Sequence, residues 1–145
     1  MTSAASTFDR KVFTGTAAHG SGTFVVNIAV PTNTSFYLKA YVSLTALISS
    51  HLQAVCGLVA DFLVYNNTGT LVTPAAATLG SNNPQNSSNL LAAYVEAADS
   101  TFNPGGSASN AVWDINTTNA RLTVTNTASS QDADVTVIVE IINFN

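Results

Sequence analysis

The strongest pattern in the chain is the stretch SFYLKAYVSLTALI at residues 35–48, where apolar side chains recur at every second position. Phe36, Leu38, Ala40, Val42, Leu44 and Ile48 fall on one side, and Tyr37, Lys39, Tyr41, Ser43 and Thr45 fall on the other. A period of two is that of a β-strand with one buried face. The stretch therefore predicts a long strand, and Ala46 is a candidate position for a break in it.

The next segment, residues 52–65, is apolar on both faces. A strand of this kind has both of its faces covered. One face can lie on the core of the chain, so the other is expected to be covered by something beyond that core. The candidates for this subunit interface are Val55, Val59, Leu63 and Tyr65.

Further strands are predicted on both sides of residues 35–65. Residues 23–30, 70–73, 111–115, 120–126 and 135–142 have strand patterns, with Asn/Gly- or Pro-containing turn signals between several of them. Residues 89–98 fit both a strand and a helix, with the strand favoured, and residues 74–88 are predicted to be a long connection. Eight or so short strands are typical of an all-β, antiparallel β-sandwich or jelly roll. Trp113 is expected to be buried in it.

The N-terminal residues 1–22 are predicted to form an arm, or an arm that includes a first strand, ahead of a sandwich domain at residues 23–145. This segment contains two of the four basic residues of the chain beside aromatic side chains. Aromatic anchors next to charges are favoured in protein interfaces. The candidate contacts to a partner surface are Phe8, Arg10, Lys11, Val12 and Phe13.

The charge content excludes several function classes. Four Lys or Arg and eight Asp or Glu give a net charge of −4, so the basic footprint of a nucleic-acid-binding protein is missing. No apolar run is long enough to span a membrane, and no signal-peptide pattern is present at the N-terminus. We therefore expect synthesis in a cytoplasm and no nucleic-acid or membrane partner.

No residue pattern indicates a catalytic, cofactor-binding or metal site, so we predict that the chain is not an enzyme. His19 and His51 lack the partners of a hydrolytic site, and Cys56 is expected to be a buried apolar side chain. Asp132 and Asp134 leave two alternatives open: a cation site, or a polar hairpin tip that protects the last strand. Tyr37 and Tyr41 could form a stacking platform for a glycan, or they could cover a sheet face or a subunit contact.

The C-terminal third carries a resemblance to a known group of proteins. Residues 111–115 hold a Trp, residues 120–126 read ARLTVTN, and residues 134–141 form a closing strand with an alternating pattern. This succession resembles the C-terminal half of small jelly-roll virion proteins of tailed bacteriophages, namely capsid cement or decoration proteins and head or tail fibre modules. The resemblance implies a structural role in the virion. It also implies a homotrimer that binds the outside of the major capsid protein shell and stabilises it. The alternative is a fibre, spike or carbohydrate-binding module that attaches to a host-surface glycan.

Overall fold

The computed structural model describes residues 7–48, 51–73, 88–95, 109–126 and 131–144. These residues form nine strands, all paired antiparallel, and no helix. The described part of the chain accordingly contains no helix able to cross a membrane.

A six-stranded sheet forms the larger layer. Its order is β1-β9-β3-β4-β5, and β6 also pairs with β4. The strands are β1 (Thr7–Ala17), β3 (Ser35–Ile48), β4 (His51–Asn67), β5 (Thr70–Val72), β6 (Ser88–Val95) and β9 (Ala133–Asn143). The first and last strands of the chain are therefore neighbours, with Thr7 opposite Asn143.

A three-stranded sheet forms the smaller layer, in the order β2-β8-β7. Its strands are β2 (Gly22–Ala29), β7 (Ser109–Asn116) and β8 (Asn119–Asn126). The larger sheet buries the even-numbered side chains of residues 36–46 in β3 and 56–64 in β4, and the odd-numbered side chains of residues 133–141 in β9, against this layer. Trp113 of β7 is fully buried there and stacks on Phe62 of β4, with ring centroids 5.8 Å apart.

Two buried asparagine side chains form hydrogen bonds to backbone groups of neighbouring segments. Asn66 donates its Nδ2 to the carbonyl of Val30 at 2.7 Å, and its Oδ1 accepts from the backbone N–H of Gly69 at 2.8 Å. Asn126 donates its Nδ2 to the carbonyls of Ala17 and Gln131. Buried polar groups stabilise a fold only when they are hydrogen-bonded in this way.

The all-β antiparallel sandwich is confirmed, and so are the burial of Trp113 and Cys56. The candidate break near Ala46 is a register shift between Ala46 and Leu47. Strands divide six and three between the sheets, whereas a jelly roll closes eight strands into two Greek keys, so the jelly-roll detail stays a prediction.

Two of the open alternatives have outcomes in the described residues. Ser88–Val95 is a strand, which is the favoured alternative for most of residues 89–98. The predicted connection at residues 74–88 lies outside the described residues except for Ser88. In the N-terminal segment, Thr7–Ala17 is an edge strand paired along its length with β9, so this stretch is part of the sheet rather than a separate arm.

Candidate functional site

The candidate site is the side of the six-stranded sheet that faces away from the smaller sheet. Since side chains alternate across a strand, the residues opposite the core positions of β1, β9, β3 and β4 all lie on this side. The residues on β1 are exposed, and most of those on the other three strands are half-buried. The strand registers align these residues into rows that run across four strands.

A row of alternating charge crosses the middle of this side. Arg10 lies opposite Glu140, Glu140 opposite Lys39, and Lys39 opposite Asp61. The order from β1 to β4 is therefore positive, negative, positive, negative. Within the described residues, the ion pairs are Arg121–Asp114 and His19–Asp132, and neither involves this row.

Apolar rows flank the charged row on both sides. One row contains Phe8, Ile142, Tyr37 and Leu63 in strand order. The other contains Val12, Ile138, Tyr41 and Val59. Phe8 and Val12 are 61% and 60% exposed. We call these three rows the outer face.

Side chains of neighbouring rows contact one another within the outer face. The Nζ of Lys39 lies 5.5 Å from the centre of the Tyr41 ring, within the range of a cation–π contact. Burial raises the pKa of Tyr37 to about 12, together with a hydrogen bond of its hydroxyl to Asp61 and the negative charge of that carboxylate. One oxygen of Asp61 is shielded from solvent and has no hydrogen-bond partner in the described part of the chain.

The structure brings together residues that the sequence assigned to three separate roles. The predicted interface residues lie on the same side of the sheet: Val55, Val59 and Leu63 are half-buried, and Tyr65 is exposed. The predicted glycan platform, Tyr37 and Tyr41, belongs to the outer face. Three of the predicted partner contacts, Phe8, Arg10 and Val12, lie there as well.

The other two predicted partner contacts lie on the opposite face of β1. Phe13 packs against the hydrophobic core. Lys11 lines an open pocket of about 190 Å³ between β1 and the end of β2, where Ile28, Pro31 and Phe36 supply apolar walls. We call this the edge pocket. Drug-sized ligands occupy about 300–1,000 Å³, so the edge pocket has room for a side chain and not for such a ligand.

A hydrogen-bonded pair that the sequence did not predict joins the β1–β2 turn to the approach to β9. Asp132 accepts from the backbone N–H of His19 at 3.0 Å and lies 2.7 Å from its Nδ1. The pKa of Asp132 is lowered, first by the backbone hydrogen bond and then by the side chain. The two residues are 113 positions apart, so no local sequence pattern could have linked them.

Three further observations concern the metal-ligating, thiol and charged groups of the described residues. No group of three His, Cys, Asp or Glu in the described ranges could hold a metal ion. Burial raises the pKa of the Cys56 thiol to about 11, which leaves it protonated and a weak nucleophile at neutral pH. Arg121 donates its Nε to Asp114 at 2.8 Å across β7 and β8, and this hydrogen bond lowers the pKa of Asp114.

Comparison with known proteins found weak similarity to a solved structure. No protein-family model and no curated protein matches it. The crystal structure of the tailspike protein of Acinetobacter baumannii phage AM24 is similar to it, with a TM-score of 0.47 and 10% sequence identity. The similarity covers 97% of this chain and 27% of the tailspike chain. Values this low do not establish a common fold or family.

Proposed function

We propose that the chain is a structural protein of a bacteriophage virion, and specifically a homotrimeric capsid cement protein. In this proposal it binds the outside of the major capsid protein shell and stabilises it. Two features support the proposal: the resemblance of the last three strands to phage virion proteins, and the outer face of the large sheet.

The outer face is the observation that carries the structural role. Its three rows extend over four strands, and they combine large apolar side chains with four charges. Large apolar patches on a folded chain mark surfaces that bind other macromolecules. A protein with such a surface can act by binding other macromolecules in an assembly, and this binding needs no reactive group.

Cement action follows from mass action. A protein that binds only the assembled shell stabilises it by RT ln(1 + [L]/Kd), which is about 2.7 kcal/mol per site at a concentration 100 times Kd. Because the binding sites repeat over the shell, the contributions accumulate.

Shell contact is assigned to the edge pocket and Lys11. One side of the pocket is apolar, and Lys11 and Asp9 line it with opposite charges. An apolar anchor that enters a pocket rimmed by charges is a common arrangement of an interface hot spot. This side of β1 faces away from the outer face, so shell binding and a contact through the outer face can occur together.

The test is binding of purified protein to capsids that lack it, with occupancy measured by gel densitometry. We expect many copies per particle, and we expect Lys11→Glu to lower occupancy at least tenfold at low salt. Lys11→Arg, which keeps the charge, should retain binding. Wild-type occupancy for the Lys11→Glu protein would overturn the assignment of the contact, and a few copies per particle would overturn the cement role.

A glycan-binding fibre or spike module is the second candidate, because Tyr37 and Tyr41 lie on one side of one strand. Two observations weigh against it: Lys39 already lies over the Tyr41 ring, and both tyrosines are half-buried. Retention of the protein on host-surface glycans, lost in Tyr41→Ala, would favour this candidate over the cement role.

A further inference from the structure

We propose that the outer face binds the outer face of a second copy of this chain, about a twofold axis parallel to the strands. This contact goes beyond the proposed shell binding and does not depend on it, since it joins the chain to itself.

The order of charges in the central row supports this arrangement. A twofold axis between β9 and β3, parallel to the strands, reverses the row of the second copy. Arg10 then faces Asp61 of the second copy, and Glu140 faces Lys39 of the second copy. All four charges of each copy meet an opposite charge, so the row is complementary to itself.

Two other simple arrangements of this surface against its own copy do not give this complementarity. A twofold axis along the row would set every charge against the same charge, which is repulsive. A threefold axis joins two different surfaces of the chain, so it cannot bring one face onto itself. The alternation of charge in the central row therefore favours the twofold axis parallel to the strands over these two arrangements.

The apolar rows match under the same axis. Phe8 faces Leu63 of the second copy, and Ile142 faces Tyr37 of the second copy. In the other row, Val12 faces Val59 and Ile138 faces Tyr41, so each exposed residue of β1 meets an apolar residue of β4. Sheets that pack face to face in proteins lie about 10 Å apart with nearly aligned strands, and an axis parallel to the strands gives this geometry.

The size of the surface is sufficient for a stable dimer. The same side of the sheet continues beyond the row of Val12 as far as Thr16 on β1 and Val55 on β4. Four strands at about 4.8 Å, each contributing about ten residues at about 3.4 Å, give about 650 Å² per copy. The two copies together bury about 1,300 Å², which lies within the range of about 1,200–2,000 Å² for specific interfaces.

The described residues of one copy do not pair these charges with one another, although Asp61 accepts a hydrogen bond from the hydroxyl of Tyr37. In the described residues no ion pair within 4.0 Å joins the four members of the row to one another. Charged groups that lose water in an interface need opposite charges as partners, and the second copy supplies them. If the proposed trimer forms, this contact joins neighbouring trimers, because it uses a different axis.

The first test measures the mass of the protein in solution by light scattering, without capsids, at micromolar concentration and low salt. We expect an even number of copies in the wild type. Arg10→Glu should halve this mass, because the introduced carboxylate would face Asp61 of the second copy. Lys11→Glu is the matched control, since it makes the same charge change one residue away on the opposite face of β1, and its mass should equal that of the wild type.

The second test inverts the whole row with Arg10→Glu, Lys39→Glu, Asp61→Lys and Glu140→Lys. The inverted row still alternates, so the variant should self-associate as the wild type does. A mixture of the two proteins should form no mixed pairs, because every charge would then face a like charge. Pull-down of untagged wild type by the tagged variant measures this.

Three results would overturn the proposal: a monomeric or odd-numbered wild type, an Arg10→Glu protein of unchanged mass, or free mixing of the wild type with a folded inverted variant. If circular dichroism shows that the inverted variant does not fold, the proposal is tested by the masses of the Arg10→Glu and Lys11→Glu proteins alone. Loss of capsid binding with intact self-association affects the proposed function and leaves this inference standing.

Discussion

At the scale of the residue, Trp113 joins the two sheets of the sandwich. Its ring stacks on Phe62 of β4 with an angle of 5° between the planes, and its Nε1 donates to the carbonyl of Ala60 at 3.0 Å. The side chain is fully buried. Trp113 therefore contributes both apolar burial and a satisfied polar group to the same contact.

Substitution at Trp113 should separate these two contributions. Trp113→Ala should lower the free energy of unfolding by about 3–5 kcal/mol through the cavity it leaves. Trp113→Phe should cost less, about 1–3 kcal/mol, because the Ala60 carbonyl loses a buried partner. Urea denaturation measures both, with Val112→Ala on the exposed side of the same strand as control. Wild-type stability for Trp113→Phe would show that the hydrogen bond contributes nothing.

At the scale of the element, the β4–β5 hairpin contains a local conflict between sequence and backbone. Its turn residues Thr68 and Gly69 both have positive φ, 53° and 101°. Two central residues of this kind are typical of a type I′ turn, in which Asn-Gly is the preferred pair. Thr is β-branched and is disfavoured at positive φ.

Replacement of this threonine should stabilise the hairpin. Thr68→Asn is expected to raise the free energy of unfolding by about 1 kcal/mol, because it removes the strained β-branched residue. Thermal unfolding followed by circular dichroism measures the change. Thr70→Asn, which lies just after the turn, is the control and should give no gain. An equal effect of both substitutions would show that turn geometry is not the cause.

Edge strand β1 contributes residues to two different surfaces of the protein. Arg10 and Lys11 are neighbours in sequence, but Arg10 belongs to the outer face and Lys11 to the edge pocket. Charged residues on an edge strand also discourage uncontrolled pairing with other chains. In the two proposals above, β1 is an edge strand whose two faces contact different partners.

At the scale of the whole molecule, the pairing of β1 with β9 joins segments that lie far apart in the sequence. Thr7 opposite Asn143 and Ala17 opposite Ala133 are the ends of one ladder. Proteins dominated by contacts distant in sequence fold slowly, since the chain must lose loop entropy before those contacts form. Stopped-flow refolding from urea should therefore relax over milliseconds to seconds or longer, and relaxation in microseconds would contradict this topology.

Much of the fold can be predicted from the sequence, because the alternation of apolar and polar residues along a strand shows which of its faces is buried. Alternation with a period of two decides which side chains of residues 35–48 face the core, and the structure buries Leu38 and Leu44 as that pattern predicts. An Asn/Gly-containing turn signal between two strand patterns is likewise local, and the Thr68–Gly69 turn lies between the patterns of residues 52–65 and 70–73. The strand and helix alternatives for residues 89–98 stayed open because a short apolar run fits both periods.

The candidate site could be predicted only in separate parts. The sequence patterns identified Val59 and Leu63 in one segment and Phe8 in another as candidate contact residues, without showing that the two segments share one side of a sheet. Only the tertiary structure decided that β1 pairs with β9 and β9 with β3, which places Arg10, Glu140, Lys39 and Asp61 in one row. The physical reason is that a strand's pattern fixes its faces but not its neighbours. Pairing between segments more than one hundred residues apart depends on how the whole chain buries its core.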